Sequence, residues 1–194
     1  TGNLDYYAPE AKKAFLERRG GIIHCNIDNN EIKNVVDTNY NFCMDSKTFL
    51  KKIINGIKYS QRSEWLNKLN NWKLKYPFNY KKSNKLKTQE VLELLNKLII
   101  NKENYIFTTG VGNHQMWACQ FIKWSYPKNI ISSGSLGVMG AGLPYAVGTQ
   151  IANPDKNVIL IDGDSSFNMT LTDLKTVKEH SLPIKIIVMN DGNQ

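Results

Sequence analysis

The sequence is poor in residues that several function classes require. Arginine occurs only as Arg18, Arg19 and Arg62, although lysine is abundant, the net charge is +8 and the pI is near 9.3. Nucleic-acid readers place the planar, bidentate guanidinium at their contact points. A lysine excess scattered among asparagines therefore reads as solvated surface, with no nucleic acid as partner. Cysteine is confined to Cys25, Cys43 and Cys119. That odd, widely spaced set supports neither a disulfide framework nor a cysteine-based metal module. No run of about 18 apolar residues occurs, so no membrane span is expected. Thr1 opens the chain without a methionine, and no signal or transit segment follows it. The chain reads as an internal piece of a longer protein. Its hydrophobic content of 41% and aromatic content of 10% suit a globular core.

The most informative stretch runs from Asn157 to Gln194. The apolar run Val158-Ile159-Leu160-Ile161 breaks at Asp162-Gly163-Asp164-Ser165-Ser166. An amphipathic segment follows from Phe167 to His180, and a second apolar run spans Ile184 to Met189 before Asn190-Asp191-Gly192-Asn193-Gln194. Continuous, β-branched-rich runs are expected of parallel strands covered on both faces. Leu171, Leu174 and Val177 recur at helical spacing between them, giving strand, turn, helix, strand. Such a unit sets the C-terminal ends of its strands side by side, where open α/β sheets bind ligands. Asp164 and Asp191 would then approach each other and, with Asn193, suit a hard divalent cation that also holds phosphate oxygens. Gly163, Ser165 and Ser166 leave backbone N–H groups free to face a phosphate at the helix start. The same residue types also serve ordinary polar turns.

The pattern upstream is similar. A helix is expected over Glu10–Arg18, a strand over Ile22–Asp28, an extended segment over Asn39–Cys43, and a helix to Ile57 capped by Asp45 or Ser46. Residues 58–87 hold a helix over Ser63–Trp72 and then a lysine-rich exposed linker. From Thr88, an expected N-cap backed by Glu90, a helix carries Val91, Leu92, Leu94, Leu95 and Leu98. Tyr105-Ile106-Phe107 forms a strand that leads through Gly110-Val111-Gly112 into a helix over Asn113–Trp124. Gly112, Asn113 and His114 thus occupy a strand-to-helix turn able to face an anion. His114 there reads equally as a ligand and as a helix-start residue. Ile130-Ile131 forms the next strand, and a helix covers Leu143–Ala152. The glycines at 134, 137, 140 and 142 lack dinucleotide-fingerprint spacing, and Met139 among them is compatible with plain core.

Two motifs carry a family resemblance. Gly163-Asp164-Ser165-Ser166-Phe167-Asn168-Met169-Thr170, followed by Asn190-Asp191, resembles the thiamine-diphosphate motif of Gly-Asp-Gly and a later Asn-Asn. Thr108-Thr109-Gly110-Val111-Gly112-Asn113-His114-Gln115-Met116-Trp117-Ala118, with Ser132-Ser133-Gly134-Ser135-Leu136-Gly137-Val138-Met139-Gly140-Ala141-Gly142-Leu143-Pro144, closely resembles the acetolactate synthase catalytic subunit family.

The resemblance implies an α/β chain. Residues 1–57 would be the end of a Rossmann-like, FAD-binding middle domain, 58–87 a linker, and 88–194 the first part of a parallel-sheet domain for thiamine diphosphate and Mg²⁺. Val111, Gly112, Asn113, His114, Gly163, Ser165 and Ser166 match positions around the diphosphate, and Gly137 and Met139 match positions around the aminopyrimidine. Asp164 and Asp191 match metal ligands, and Asn193 matches the position whose backbone carbonyl completes the set. Asn26, Ile27 and Asp45 match FAD-binding positions. Three residues depart from the pattern: Asn26 replaces an acid, Asn113 a glutamine and Asp191 an asparagine. The activating glutamate of the family lies upstream, so no catalytic residue is expected in this piece, and the piece alone is expected to show no turnover.

The activity implied is decarboxylation of pyruvate and condensation of the two-carbon unit with pyruvate or 2-ketobutyrate, in branched-chain amino-acid biosynthesis. A homodimer or homotetramer with a regulatory subunit is implied, in a plastid or mitochondrion if eukaryotic and otherwise in the cytoplasm. The alternatives are another thiamine-diphosphate-dependent 2-ketoacid decarboxylase or oxidase, and a non-catalytic homologue.

Overall fold

The structure is a computed structural model of the 194-residue chain, and it describes residues 21–34, 37–124, 126, 128–134 and 136–192. The helix expected over Glu10–Arg18 lies outside the described residues. The chain divides into two compact units, Thr1–Asn71 and Trp72–Gln194.

In the first unit, β1 (Ile23–Asn26) and β2 (Tyr40–Cys43) pair in parallel, with Ile23 opposite Tyr40 and Asn26 opposite Cys43. Helix α1 (Ser46–Ile53) follows, and the Asp45 carboxylate accepts from the Thr48 N–H at 3.0 Å. Asp45 thus satisfies one of the free amides of the first turn. A 3₁₀ turn at Asn29–Glu31 is started by the Asp28 side chain accepting from Asn30 N–H. Helix α2 (Ser63–Lys75) carries the boundary between the units.

The second unit is a four-stranded parallel sheet in the order β4-β3-β5-β6. Its strands are β3 (Tyr105–Thr109), β4 (Ile130–Ser132), β5 (Asn157–Gly163) and β6 (Lys185–Met189). Its helices are α3 (Thr88–Leu98), α4 (Asn113–Phe121), α5 (Gly142–Ala152), α6 (Asp164–Asn168) and α7 (Leu174–Glu179). The central strand β5 explains its own sequence. Ile159 and Ile161 pack with Leu92, Ile99, Phe107, Ala118 and Ile122. Val158 and Leu160 face the other way, onto Leu143 and Ala146, with Phe167, Leu174 and Val177 at the edge. Both faces are covered by helices, so neither can be polar and the strand cannot alternate.

Several boundaries differ from expectation. Thr88 is the first helical residue and Lys87 is the N-cap; the Glu90 carboxylate accepts from Lys87 N–H at 2.9 Å. The reaching-back half of a capping box is present, one residue earlier than the threonine suggested. Helix α4 ends at Phe121 rather than Trp124, and the Asn96 amide donates to the freed Phe121 carbonyl. Strand β5 does not stop at Ile161 but continues through Asp162 and Gly163, which pair with Val188 and Met189. The single helix expected over Phe167–His180 is broken into α6, a 3₁₀ turn at Leu171–Asp173, and α7. The break falls where the Thr170 hydroxyl donates to the Gly140 carbonyl at 2.8 Å, a tertiary bond with no local sequence signature.

Residues 72–87 belong to the second unit, where the rings of Phe78 and Tyr80 pack on Phe121 with centroids 6.2 and 5.7 Å away.

Candidate cofactor site

Strand order decides where a ligand can sit. The chain leaves β3 for β4 on one side, while β5 lies on the other, so the turns after β3 and β5 diverge to opposite faces. The crevice between such turns, beyond the strands' C-terminal ends, is where open α/β sheets bind ligands. A cavity of about 480 Å³ opens there, a size suited to a cofactor. Its lining draws Val111, Gly112, Asn113 and His114 from the end of β3, Gly163, Asp164, Ser165 and Ser166 from the end of β5, and Asp191 from the end of β6, with Met139 from the glycine-rich loop. Ten residues singled out from sequence therefore converge on one pocket. Gly137 is outside the lining, its φ of +64° serving the turn beside Val111. Asn193 lies outside the described residues.

The backbone at this site needs glycine. Gly112 has φ +153°, and a Cβ on it would fall 3.0 Å from His114 Cε1. A Cβ on Gly163 would fall 2.8 Å from His114 Nδ1. Both turns thus press directly on the imidazole, which is 5% exposed. Ser166 is also buried, and its hydroxyl accepts from the Gly140 N–H at 2.9 Å. Its side chain therefore anchors the loop that carries Met139, alongside Thr170.

Asp164 and Asp191 line the same cavity, from β5 and β6, as their strand-end positions suggested. Among the described residues no group of three or more His, Cys, Asp or Glu gathers in metal-binding geometry. Two carboxylates with backbone carbonyls and ligand phosphate oxygens is instead a donor set for a hard cation. The residues present fit thiamine diphosphate with a divalent ion: glycine turns for close approach, acids at two adjoining strand ends, and an exposed methionine in the lining.

Sequence reasoning missed several features. Leu86, Lys87, Thr88, Gln89, Trp117, Met189 and Asn190 complete the lining. Trp117 is one helical turn beyond Asn113, a spacing that could have flagged it. Asp162 lies behind His114, outside the lining. It is fully buried, its Oδ1 accepts from Gly163 N–H at 2.9 Å, and its Oδ1 lies 3.4 Å from His114 Nε2. That pair is within ionic reach but outside hydrogen-bond geometry, since His114 Nε2 and Asp162 Oδ2 have no hydrogen-bond partner. Burial pushes the His114 imidazole below its ordinary pKa, opposed by the Asp162 charge. Burial pushes the Asp162 carboxyl up, opposed first by a hydrogen bond to Ser166 and then by His114. The signal for Asp162 was an acid set directly after an apolar run.

Asn26, Ile27 and Asp45 belong to the first unit, at the C-terminal ends of the adjacent parallel strands β1 and β2. The Asn26 amide oxygen accepts from Asp28 N–H at 3.0 Å, and Ile27 is 76% exposed.

Comparison with known proteins agrees with this geometry. Residues 110–194 match the model of the thiamine pyrophosphate enzyme C-terminal TPP binding domain. The chain thus belongs to the thiamine-pyrophosphate enzymes. Within that class it belongs to the acetolactate synthase catalytic-subunit family. It is 44% identical over 199 residues to the mitochondrial acetolactate synthase catalytic subunit of Saccharomyces cerevisiae, covering 100% of this chain and 29% of that protein. It is 40% identical over 201 residues to the mitochondrial acetolactate synthase of Schizosaccharomyces pombe, covering 100% of this chain and 30% of that protein. It is 38% identical over 197 residues to acetolactate synthase 2, chloroplastic, of Brassica napus, covering 98% of this chain and 29% of that protein. The chain spans under a third of the length of these relatives.

Proposed function

We propose that the protein carrying this chain is an acetolactate synthase: it decarboxylates pyruvate and joins the two-carbon unit to a second 2-ketoacid, pyruvate or 2-ketobutyrate. The observation that carries the proposal is the convergence of Val111–His114, Met139, Gly163–Ser166 and Asp191 on one cavity at the switch point of the sheet. Bound thiamine diphosphate supplies the nucleophile and the electron sink for decarboxylation. This chain's residues bind and orient it. The Gly112 and Gly163 turns would receive the diphosphate, and Asp164 and Asp191 would hold Mg²⁺. Asp191 in place of an amide adds negative charge, which strengthens the hold on Mg²⁺ and slightly opposes the diphosphate. Met139, whose neighbour Gly140 is held by Ser166 and Thr170, would support the cofactor from the glycine-rich loop.

The same reading assigns residues 1–57 to the end of an FAD-binding domain, with Asn26, Ile27 and Asp45 at the flavin nucleotide, and 58–87 to a linker. It implies a mitochondrion or plastid if the source is eukaryotic and the cytoplasm otherwise, and a homodimer or homotetramer with a regulatory subunit. The test is acetolactate formation from pyruvate by the intact protein, with and without thiamine diphosphate and Mg²⁺. Acetolactate that depends on both is expected. Acetaldehyde or acetate instead would assign the protein to a different thiamine-diphosphate chemistry, and no product without cofactor binding would make it non-catalytic.

A further inference from the structure

Asp162 is a buried acid to which the proposed chemistry gives no role. Its neighbours Val158–Ile161 show what the position would hold if packing alone decided, because every one is apolar and buried. An ionisable group there costs desolvation that its partners only partly offset. Its environment is nevertheless built around it. A Cβ on Gly110 would fall 1.9 Å from Asp162 Oδ1, and one on Gly142 would fall 2.6 Å from Oδ2. Two glycines therefore make room for the carboxylate.

The carboxylate faces one edge of His114, with Oδ1 3.4 Å from Nε2. The opposite edge, Nδ1 and Cε1, lies against Gly163 and Gly112. Turning the ring over would set carbon against the carboxylate and lose the pairing. The imidazole is thus a wedge between the two backbone turns at the ends of β3 and β5, and the acid beneath it selects its orientation.

We propose that Asp162 is a positioning residue: its carboxylate holds the Nε2 edge of His114, so that the ring sets the spacing of the Gly112 and Gly163 turns that receive the cofactor's diphosphate. The second half of this statement rests on the thiamine diphosphate reading above. The first half is a property of the protein without cofactor.

The test uses the intact protein with ¹⁵N-labelled histidine rings, observed without cofactor, and His114→Gln to identify the signal. His114 is expected to carry its proton on Nε2. A dominant Nδ1–H form in the wild type overturns the proposal. Asp162→Ala is expected to leave a mixture of ring forms and to weaken thiamine diphosphate binding, measured calorimetrically, by about tenfold or more. Asp162→Asn keeps an acceptor at Oδ1 and is expected to restore most of that affinity. KM for pyruvate at saturating cofactor should stay within about twofold, because the residue does not touch substrate. Ring protonation and cofactor affinity both unchanged in a folded Asp162→Ala protein overturns the proposal. If that variant does not fold, the wild-type ring state and the Asn variant decide. A wild-type protein that binds no thiamine diphosphate refutes the cofactor reading, whereas the ring state still decides whether Asp162 orients His114.

Discussion

Gly110→Ala and Gly148→Ala add the same methyl group within the second unit and should act in opposite directions. At Gly110 the new Cβ would fall 1.9 Å from Asp162 Oδ1, 2.3 Å from Ser166 Oγ and 2.7 Å from Asp162 Cγ. None of these atoms is the loose end of a long side chain; both residues are buried. The strand end must shift or the carboxylate must leave His114. Overpacking of this kind costs about 1–3 kcal/mol. A loss of about 1–3 kcal/mol is therefore expected. At Gly148, on the exposed side of α5, nothing lies within 4 Å of the added Cβ. There the backbone entropy of glycine is removed without a clash, a gain of about 0.5–1 kcal/mol. Denaturant unfolding followed by circular dichroism measures both. The reasoning is refuted if Gly110→Ala is as stable as the wild type, because the space around Asp162 and Ser166 would then be larger than the geometry allows.

Further outcomes follow from the same contacts. Ser166→Ala strands the buried Gly140 N–H without its acceptor and should cost about 1–3 kcal/mol in unfolding free energy, with Thr170 still holding the loop. Asp164→Ala should weaken Mg²⁺-dependent thiamine diphosphate binding by about tenfold or more, and Asp191→Asn much less; calorimetric titration would expose an error if Asp164→Ala bound normally. Tyr80 is pushed up to about 12 by burial and by its hydrogen bond to Glu93, 2.9 Å away. Because the folded state holds that proton more tightly, the stabilisation is complete below the ordinary value of 10 and is lost as pH rises from 10 through 12. Ultraviolet titration should show one late phenol that Tyr80→Phe removes; if none titrates late, the contact is wrong.

Much of the site was legible because its chemistry is local in sequence. The turns Gly110–His114 and Gly163–Ser166 each carry glycine and polar residues directly after an apolar run, and the sheet brings both to one cavity. What escaped reading depended on partners far along the chain. Ser166 reads from sequence as a phosphate-facing residue at a helix start, yet its hydroxyl is bonded to Gly140, 26 positions away. Thr88 has the composition of an N-cap but lies inside the helix, because Glu90 reaches Lys87. The division of Phe167–His180 into two helices follows from the Thr170–Gly140 bond, which periodicity does not register.

The amino-acid order alone determined that parallel strands would be buried on both faces, since β-branched residues without alternation have no other stable placement. It also determined which turns bear acids and glycines, and thereby the chemistry available at each strand end. Tertiary structure alone decided which turns meet. The order β4-β3-β5-β6 sets the ends of β3 and β5 side by side, and no local pattern encodes that adjacency. It also decided the standing of Asp162, which looks in sequence like the first residue of a polar turn. Its strand continues one residue past it, and its carboxylate is sealed behind His114, where burial makes each of its few polar partners count.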